Sequence, residues 1–215
     1  MTKFFAYPDE AMDYLAKRDT TLAQVIAQVG RVERTVDDDV FSSIVNSIIG
    51  QQISAVAQRT IIARLGERVG ATTPDAIDTL SEDELQALGM TFRKASYIKD
   101  VARKVAGGEF DLGALEQMSD EDAIATLSSL KGIGRWTAEM TLLFSMGRQD
   151  ILAFDDLGIQ RGMRMTYHHR KITKQLFKKY RRRYSPYGSV ASLYLWEVAH
   201  GTVEGFQKDF APKKK

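Results

Sequence analysis

The stretch Leu130-Lys131-Gly132-Ile133-Gly134-Arg135-Trp136-Thr137-Ala138-Glu139-Met140-Thr141-Leu142-Leu143-Phe144-Ser145-Met146-Gly147 decides how the rest of the chain is read. Its opening, LKGIG, lies between two strongly helical segments. Gly132 and Gly134 permit a tight turn and a close backbone approach. The residues after them predict a helix from about Arg135 to Met146 that stops at Gly147. The residues before them predict a helix capped by Ser119-Asp120-Glu121-Asp122 and running to about Leu130. Amides that open a helix have no partner inside it. Such a helix start attracts an anion, and a DNA phosphate fits it without regard to base identity. An ordinary helix–helix turn, with glycines for geometry alone, accounts for the same residues, so the surroundings must decide.

Helical periodicity continues on both sides. Phe41, Ile44, Val45, Ile48 and Ile49 recur at spacings of three and four, and Val56, Ile61, Ile62 and Leu65 extend the pattern. Thr73-Pro74-Asp75 starts one helix with Pro near its first turn, and Ser81-Glu82-Asp83-Glu84 starts another with a capping-box pattern. Ser96 to Val105 is amphipathic and stops at Gly107-Gly108. Strict two-residue alternation is scarce, so the chain reads as predominantly α; Gly30 to Val36 is ambiguous. The terminal Lys213-Lys214-Lys215 reads as a frayed tail.

Composition narrows the function classes. The 215 residues are 44% hydrophobic and 27% charged, which suffices for one large domain or two lobes sharing a core and excludes wholesale disorder. There is no cysteine, which removes disulfides, zinc ribbons, Cys-ligated iron–sulfur clusters and thiol nucleophiles together. His168, His169 and His200 are the only histidines, which argues against a His-rich metal site. No apolar run is long enough to span a membrane, and MTKFFAYPDEAMDYL lacks the apolar core of a signal peptide. A soluble intracellular protein is expected. Charge is segregated: between Asp156 and Glu197 there is no acidic residue, while Arg161, Arg164, Arg170, Lys171, Lys174, Lys178, Lys179, Arg181, Arg182 and Arg183 all fall there. With Tyr167, Phe177, Tyr180, Tyr184 and Tyr187 interleaved, a solvated helix face and a nucleic-acid surface both fit.

LKGIGRWTAEMTLLFSMG, followed by ILAFDDLGIQRGM at 151–163, resembles the helix-hairpin-helix/Gly-Pro-Asp superfamily of DNA glycosylases. Within it the likeness is to the alkylation-repair branch, DNA-3-methyladenine glycosylase II. FSSIVNSIIGQQISAVAQRTIIARL is similar to the family's early helix and its GQQxS turn, LGMTFRKASYIKDVA to its LGM…(R/K)KA segment, and YSPYGSVASLYLWEV to its late helix. The likeness runs from about residue 40 to 200, in the family's order. It implies an all-α, two-lobed fold with the active site in the cleft between lobes. One lobe would take about 40–147 and end in the helix-hairpin-helix at about 120–147; the other would take about 1–39 with 148–215. No counterpart is expected of the N-terminal β-rich domain that longer members carry.

The resemblance also implies roles. Asp156, the second residue of Asp155-Asp156, matches the family's catalytic carboxylate; Asp155 takes the preceding, variable position, and the Pro of the family name is missing locally. A fixed carboxylate facing C1′ stabilises oxocarbenium charge and orients or deprotonates the attacking water. Asp156 as an N-cap for a helix starting near Leu157 is a compatible reading, because both jobs use negative charge. Bifunctional branches carry a Schiff-base lysine where this chain has Trp136, so a monofunctional hydrolase that leaves an abasic site is implied. Trp136, Tyr187 and Trp196 are candidates to stack on a cationic alkylated base, with core packing as the plain alternative for each. Gly132, Ile133, Gly134 and Arg135 would position DNA; Gln51 and Gln52 would form the wedge turn, Gln52 at the intercalating position, or merely end a helix. Arg93 and Lys94 read as phosphate partners or as a solvated pair. No cofactor is required; a structural Na+ or K+ would sit on the carbonyls of Ser128, Leu130 and Ile133. The partner would be double-stranded DNA bearing 3-methyladenine or 7-methylguanine, bound by a monomer with no membrane association, cytoplasmic and nucleoid-associated in a bacterium. The rivals are a non-catalytic hairpin module that only grips DNA, and a bifunctional lyase for oxidised bases.

Overall fold

The computed structural model describes residues 3–37 and 39–212, so the Lys213-Lys214-Lys215 tail lies outside the described residues. The helices are α1 (Asp9–Arg18), α2 (Thr20–Val29), α3 (Val40–Gly50), α4 (Ala55–Val69), α5 (Pro74–Asp78), α6 (Glu82–Ala87), α7 (Phe92–Ala106), α8 (Asp120–Ser128), α9 (Arg135–Phe144), α10 (Leu157–Tyr167), α11 (Lys174–Tyr184) and α12 (Gly188–His200), with a 3₁₀ turn at Gly113–Gln117. Among the described residues no strand forms. The ambiguous stretch before Val36 contributes only an isolated antiparallel bridge from Thr35 to Phe4.

The helices start where short polar side chains turn back on the backbone. Asp19, Asp39, Ser54, Thr73, Ser81, Thr91, Ser119, Asp156 and Thr173 each cap the helix that follows, and Ser81 with Glu84 completes a full capping box. Each such cap stabilises its helix by roughly 1 kcal/mol. The ends are set by geometry. The hairpin's second helix stops at Phe144, short of the expected Met146, because Ser145 leaves the helix and Gly147 takes φ +64°.

The chain divides into two compact units, one within Asp37–Met146 and one within Met1–Val36 and Gly147–Lys215. The first is built on α3, α7 and α9, with Phe41, Ile44, Ile48, Leu65, Leu85, Ile98, Leu127 and Leu142 fully buried. Full burial of such side chains contributes about 1.5–3 kcal/mol apiece. In the second unit α10 and α12 form the most extensive helix pair. A Cβ on Gly162 would lie 2.1 Å from the Leu195 carbonyl oxygen, so the two backbones touch and only glycine fits. Tyr184 and Tyr194 are its largest buried side chains.

Candidate functional site

In the first unit, α8 and α9 form the hairpin that the glycines foretell. The Ile133 N–H donates to the Leu130 carbonyl at 3.1 Å and closes the turn. Gly132 is needed twice: its φ is +85°, and a Cβ there would lie 2.4 Å from Tyr97 Cδ2. Gly134 has a different reason. Its backbone is extended and any residue would fit, but as the N-cap of α9 it brings no side chain to that helix start. Arg135 ties the hairpin together. Its Nη atoms reach Glu121 on α8 at 2.8 and 3.0 Å, and its Nε reaches Glu139 at 3.0 Å. Glu139 is buried and so requires a counter-charge. Hydrogen bonding to Glu121 raises the Arg135 pKa above the usual guanidinium range. Trp136 is 46% exposed, which argues against core packing there. Ile133 is buried, so it can offer an anion its main chain only.

The wedge turn follows α3. Gln51 ends that helix, and Gln52 takes φ +56°, an uncommon backbone for a residue other than glycine. Gln52, Ile53 and Val56 are exposed. Gln51 points elsewhere: its Nε2 donates to the Gly132 carbonyl at 2.7 Å. Arg93 is exposed, but Lys94 is a correction. Its side chain is buried, and its ammonium donates to the carbonyls of Ile49 at 2.7 Å and Gln51 at 2.6 Å. Burial, with Arg93 beside it, lowers its pKa. An ammonium folded onto the carbonyl end of α3 is not presented to a phosphate.

The second unit holds the carboxylate. Asp156 is the N-cap of α10 and is buried, whereas Asp155 is exposed. Asp156 Oδ1 accepts the Ile159 amide at 2.7 Å and the Trp196 Nε1–H at 3.0 Å. Gly158 makes room for this: a Cβ there would sit 2.8 Å from Trp196 Cδ1 and 3.1 Å from Asp156 Oδ1. Gln160 braces the preceding loop by donating to the Phe154 carbonyl at 2.6 Å. Tyr187 is half-buried, with its ring edge-on to Tyr14 at 5.3 Å. Leu157, beside the carboxylate, is 82% exposed, a feature that helical periodicity alone did not single out.

The basic segment sorts into a partnered set and an exposed set within one unit. Arg164 pairs with Asp209 at 2.7 Å, Arg183 with Asp19 at 2.6 Å, and Arg181 donates to the Asp150 carbonyl at 2.8 Å. Asp19 also accepts the Tyr167 hydroxyl, which lies 2.7 Å from the Tyr184 hydroxyl. Burial raises both phenols well above their usual range. Arg170, Lys171, Lys174, Lys178, Lys179 and Arg182 stay exposed. Lys179 and Arg182 line an open depression of about 310 Å³ with Thr173, Gln175 and Leu176. Among the described residues no group of three or more His, Cys, Asp or Glu is placed to hold a metal ion. No helix of the described residues is long and apolar enough to cross a membrane.

Known proteins share this fold. Residues 45–186 match the family model of the HhH-GPD superfamily base excision DNA repair proteins. The chain is 29% identical over 209 residues to DNA-3-methyladenine glycosylase 1 of Schizosaccharomyces pombe, covering 94% of this chain and 91% of that protein. Its fold is similar to the crystal structure of a DNA-3-methyladenine glycosidase from Bacillus halodurans, with a TM-score of 0.86, 33% identity and 96% of each chain covered. It is also similar to the 3-methyladenine DNA glycosylase of Schizosaccharomyces pombe solved in complex with abasic DNA, with a TM-score of 0.78, 26% identity, and 93% of this chain and 100% of that one covered. The chain belongs to the HhH-GPD superfamily.

Proposed function

We propose that this member of the HhH-GPD superfamily is a monofunctional DNA glycosylase that hydrolyses the N-glycosidic bond of alkylated purines, 3-methyladenine and 7-methylguanine, and leaves an abasic site. One observation carries the reading: a buried carboxylate, Asp156, fixed on Oδ1 by an amide and an indole N–H at the start of α10. Held this way, Asp156 stabilises positive charge as it grows on the sugar and orients the water that attacks C1′. The relatives' names support the alkylated-base substrate. An alkylated purine is cationic, so it is both a good leaving group and a partner for an aromatic face, an attraction of roughly 0.5–2 kcal/mol. Trp136 in the first unit, and Tyr187 and Trp196 in the second, are the faces on offer; Trp196 also holds the carboxylate. Trp136, standing where bifunctional relatives have lysine, supplies no Schiff base.

DNA is gripped through main chain and charge. The hairpin amides at Gly132–Arg135 take a phosphate, Gln52 enters the gap left by the extruded nucleotide, and Arg93 and the exposed cations of α11 add sequence-independent attraction. Arg135 contributes by bracing the hairpin through Glu121 and Glu139. A monovalent cation on the carbonyls of Ser128, Leu130 and Ile133 suits the hard oxygen donors there, and the buried Ser128 Oγ has no hydrogen-bond partner in the structure. Bound, it would add positive charge beside the phosphate. We also propose that the enzyme works as a monomer inside the cell.

The test is incubation of the protein with methylated duplex DNA and identification of the free bases. Release of 3-methyladenine or 7-methylguanine with no borohydride-trapped DNA adduct is expected. DNA binding without base release would favour the hairpin module, and a trapped adduct the lyase.

A further inference from the structure

Lys94 is the sole buried lysine or arginine among the described residues. The partners that bury it are main-chain carbonyls at the end of α3, Ile49 and Gln51. That helix end is elaborately held. Gln58 Nε2 donates to the Asn46 carbonyl at 2.9 Å, and the Gln51 N–H donates to the Ile48 carbonyl at 3.3 Å. Gly50 lies against Gln58, where a Cβ would come within 2.6 Å of its amide nitrogen. An ammonium suits this place because it offers three donors on a compact charge and meets the negative end of the helix dipole.

The contacts close a triangle within one unit. Lys94 on α7 holds the turn. Gln51 in the turn holds the Gly132 carbonyl of the hairpin. Tyr97, one helical turn beyond Lys94, lies against Gly132, the glycine that has no room for a Cβ. Gln52, exposed and in the left-handed backbone region, follows directly from the carbonyl that Lys94 grips.

We propose that Lys94 is a positioning residue that locks the Gln51-Gln52 turn to the glycine hairpin, so that the plug side chain and the phosphate-gripping amides meet duplex DNA as one rigid piece. The inference rests on the reading of Gln52 as the residue that fills the gap. Its logic is preorganisation: a plug fixed relative to the phosphate grip is ordered when the protein folds, and no further ordering is needed when the base leaves the stack. A lysine that merely stabilised the unit would affect every substrate alike. A positioning lysine matters only where a stack must be opened.

The experiment compares wild type, Lys94→Met and Lys94→Arg on a methylated duplex and on the same methylated single strand, under single-turnover conditions, with thermal unfolding followed alongside. Lys94→Met should lose about 10-fold or more in base release from the duplex, the scale of a lost charged hydrogen bond, and stay within about twofold on the single strand; Lys94→Arg should recover part of the duplex rate. Equal losses on both substrates, or no loss on the duplex, would overturn the proposal. If Lys94→Met does not fold, Gln51→Met cuts the link to Gly132 at a half-buried position and must show the same split. A 2-aminopurine reporter opposite the lesion reads insertion without chemistry. A wild-type chain that brightens it but releases no base would retire the glycosylase reading alone. Equal brightening by wild type and Lys94→Met would retire this one.

Discussion

At the start of α9 the N-cap is Gly134, which brings no side chain; at the start of α10 it is Asp156, whose carboxylate turns back onto the Ile159 amide. Both helix starts carry the partial positive charge of aligned peptide dipoles, worth about half an elementary charge. In α9 no cap side chain meets that charge, which under the proposed function leaves it for a phosphate. In α10 it is met by the protein's own anion, which is buried and further fixed by an indole. One backbone feature thus presents opposite signs of charge depending on a single residue. The proposed function, which needs a held phosphate and a stabilised carbocation-like sugar, calls for both forms.

The largest effect is expected at α10. Asp156→Asn keeps the cap, since Asn caps about as well as Asp, but removes the charge. Base release should fall by about 10²–10³-fold while affinity for duplex DNA changes little; single-turnover rates beside a binding isotherm decide it. Unchanged release would mean that a different carboxylate does the chemistry. Trp196→Phe is expected to come next. It removes the donor to Asp156 Oδ1 and keeps an aromatic ring, so the rate should drop by about 10-fold or somewhat more, and a fall in kcat rather than in affinity would mark the effect as positioning.

Gly134→Asp tests the other half by making α9 resemble α10. The backbone at 134 is extended and a Cβ there meets nothing within 4 Å, so folding should be unharmed or slightly improved. Duplex affinity should weaken by about 10-fold, because a built-in carboxylate would occupy the place of the phosphate. Retained affinity would remove the hairpin amides from the interface. The smallest effect is one of pH. Tyr167 ends α10, and burial raises both it and Tyr184. Folded-state values above the unfolded one give stability that is complete below about pH 10 and lost as pH rises past it. Tyrosine absorbance in an alkaline titration should therefore show these phenols ionising together with unfolding of the unit that holds α10, and free ionisation in the folded state would contradict the buried network.

How far the sequence could be read depended on whether the signal was local. Helix starts were legible because a cap and its amide lie within three residues, as at Ser81 and Ser119. A predominantly helical chain followed from apolar spacing and a turn from two glycines, while the all-α fold with its helix-hairpin-helix came with the family resemblance. Asp156 was separable from Asp155 by motif offset, and the structure separates them again by burial. Lys94 was not legible, because a sequence displays a charge and hides the carbonyls that will surround it. The same holds for Arg135: Glu139 lies one turn away on the same helix, but Glu121 comes from the helix before. Partial neutralisation of the basic segment was also hidden, since Asp19 and Asp209 reach it from opposite ends of the chain.

Leu195, whose carbonyl touches Gly162, immediately precedes Trp196, so the spacing of two helices and the aim of the indole are one quantity. A lineage that exchanged Gly162 for anything bulkier would keep every reactive group and still lose their registration. Damage to such an enzyme can thus be inherited at a place that an inventory of its reactive groups would pass over.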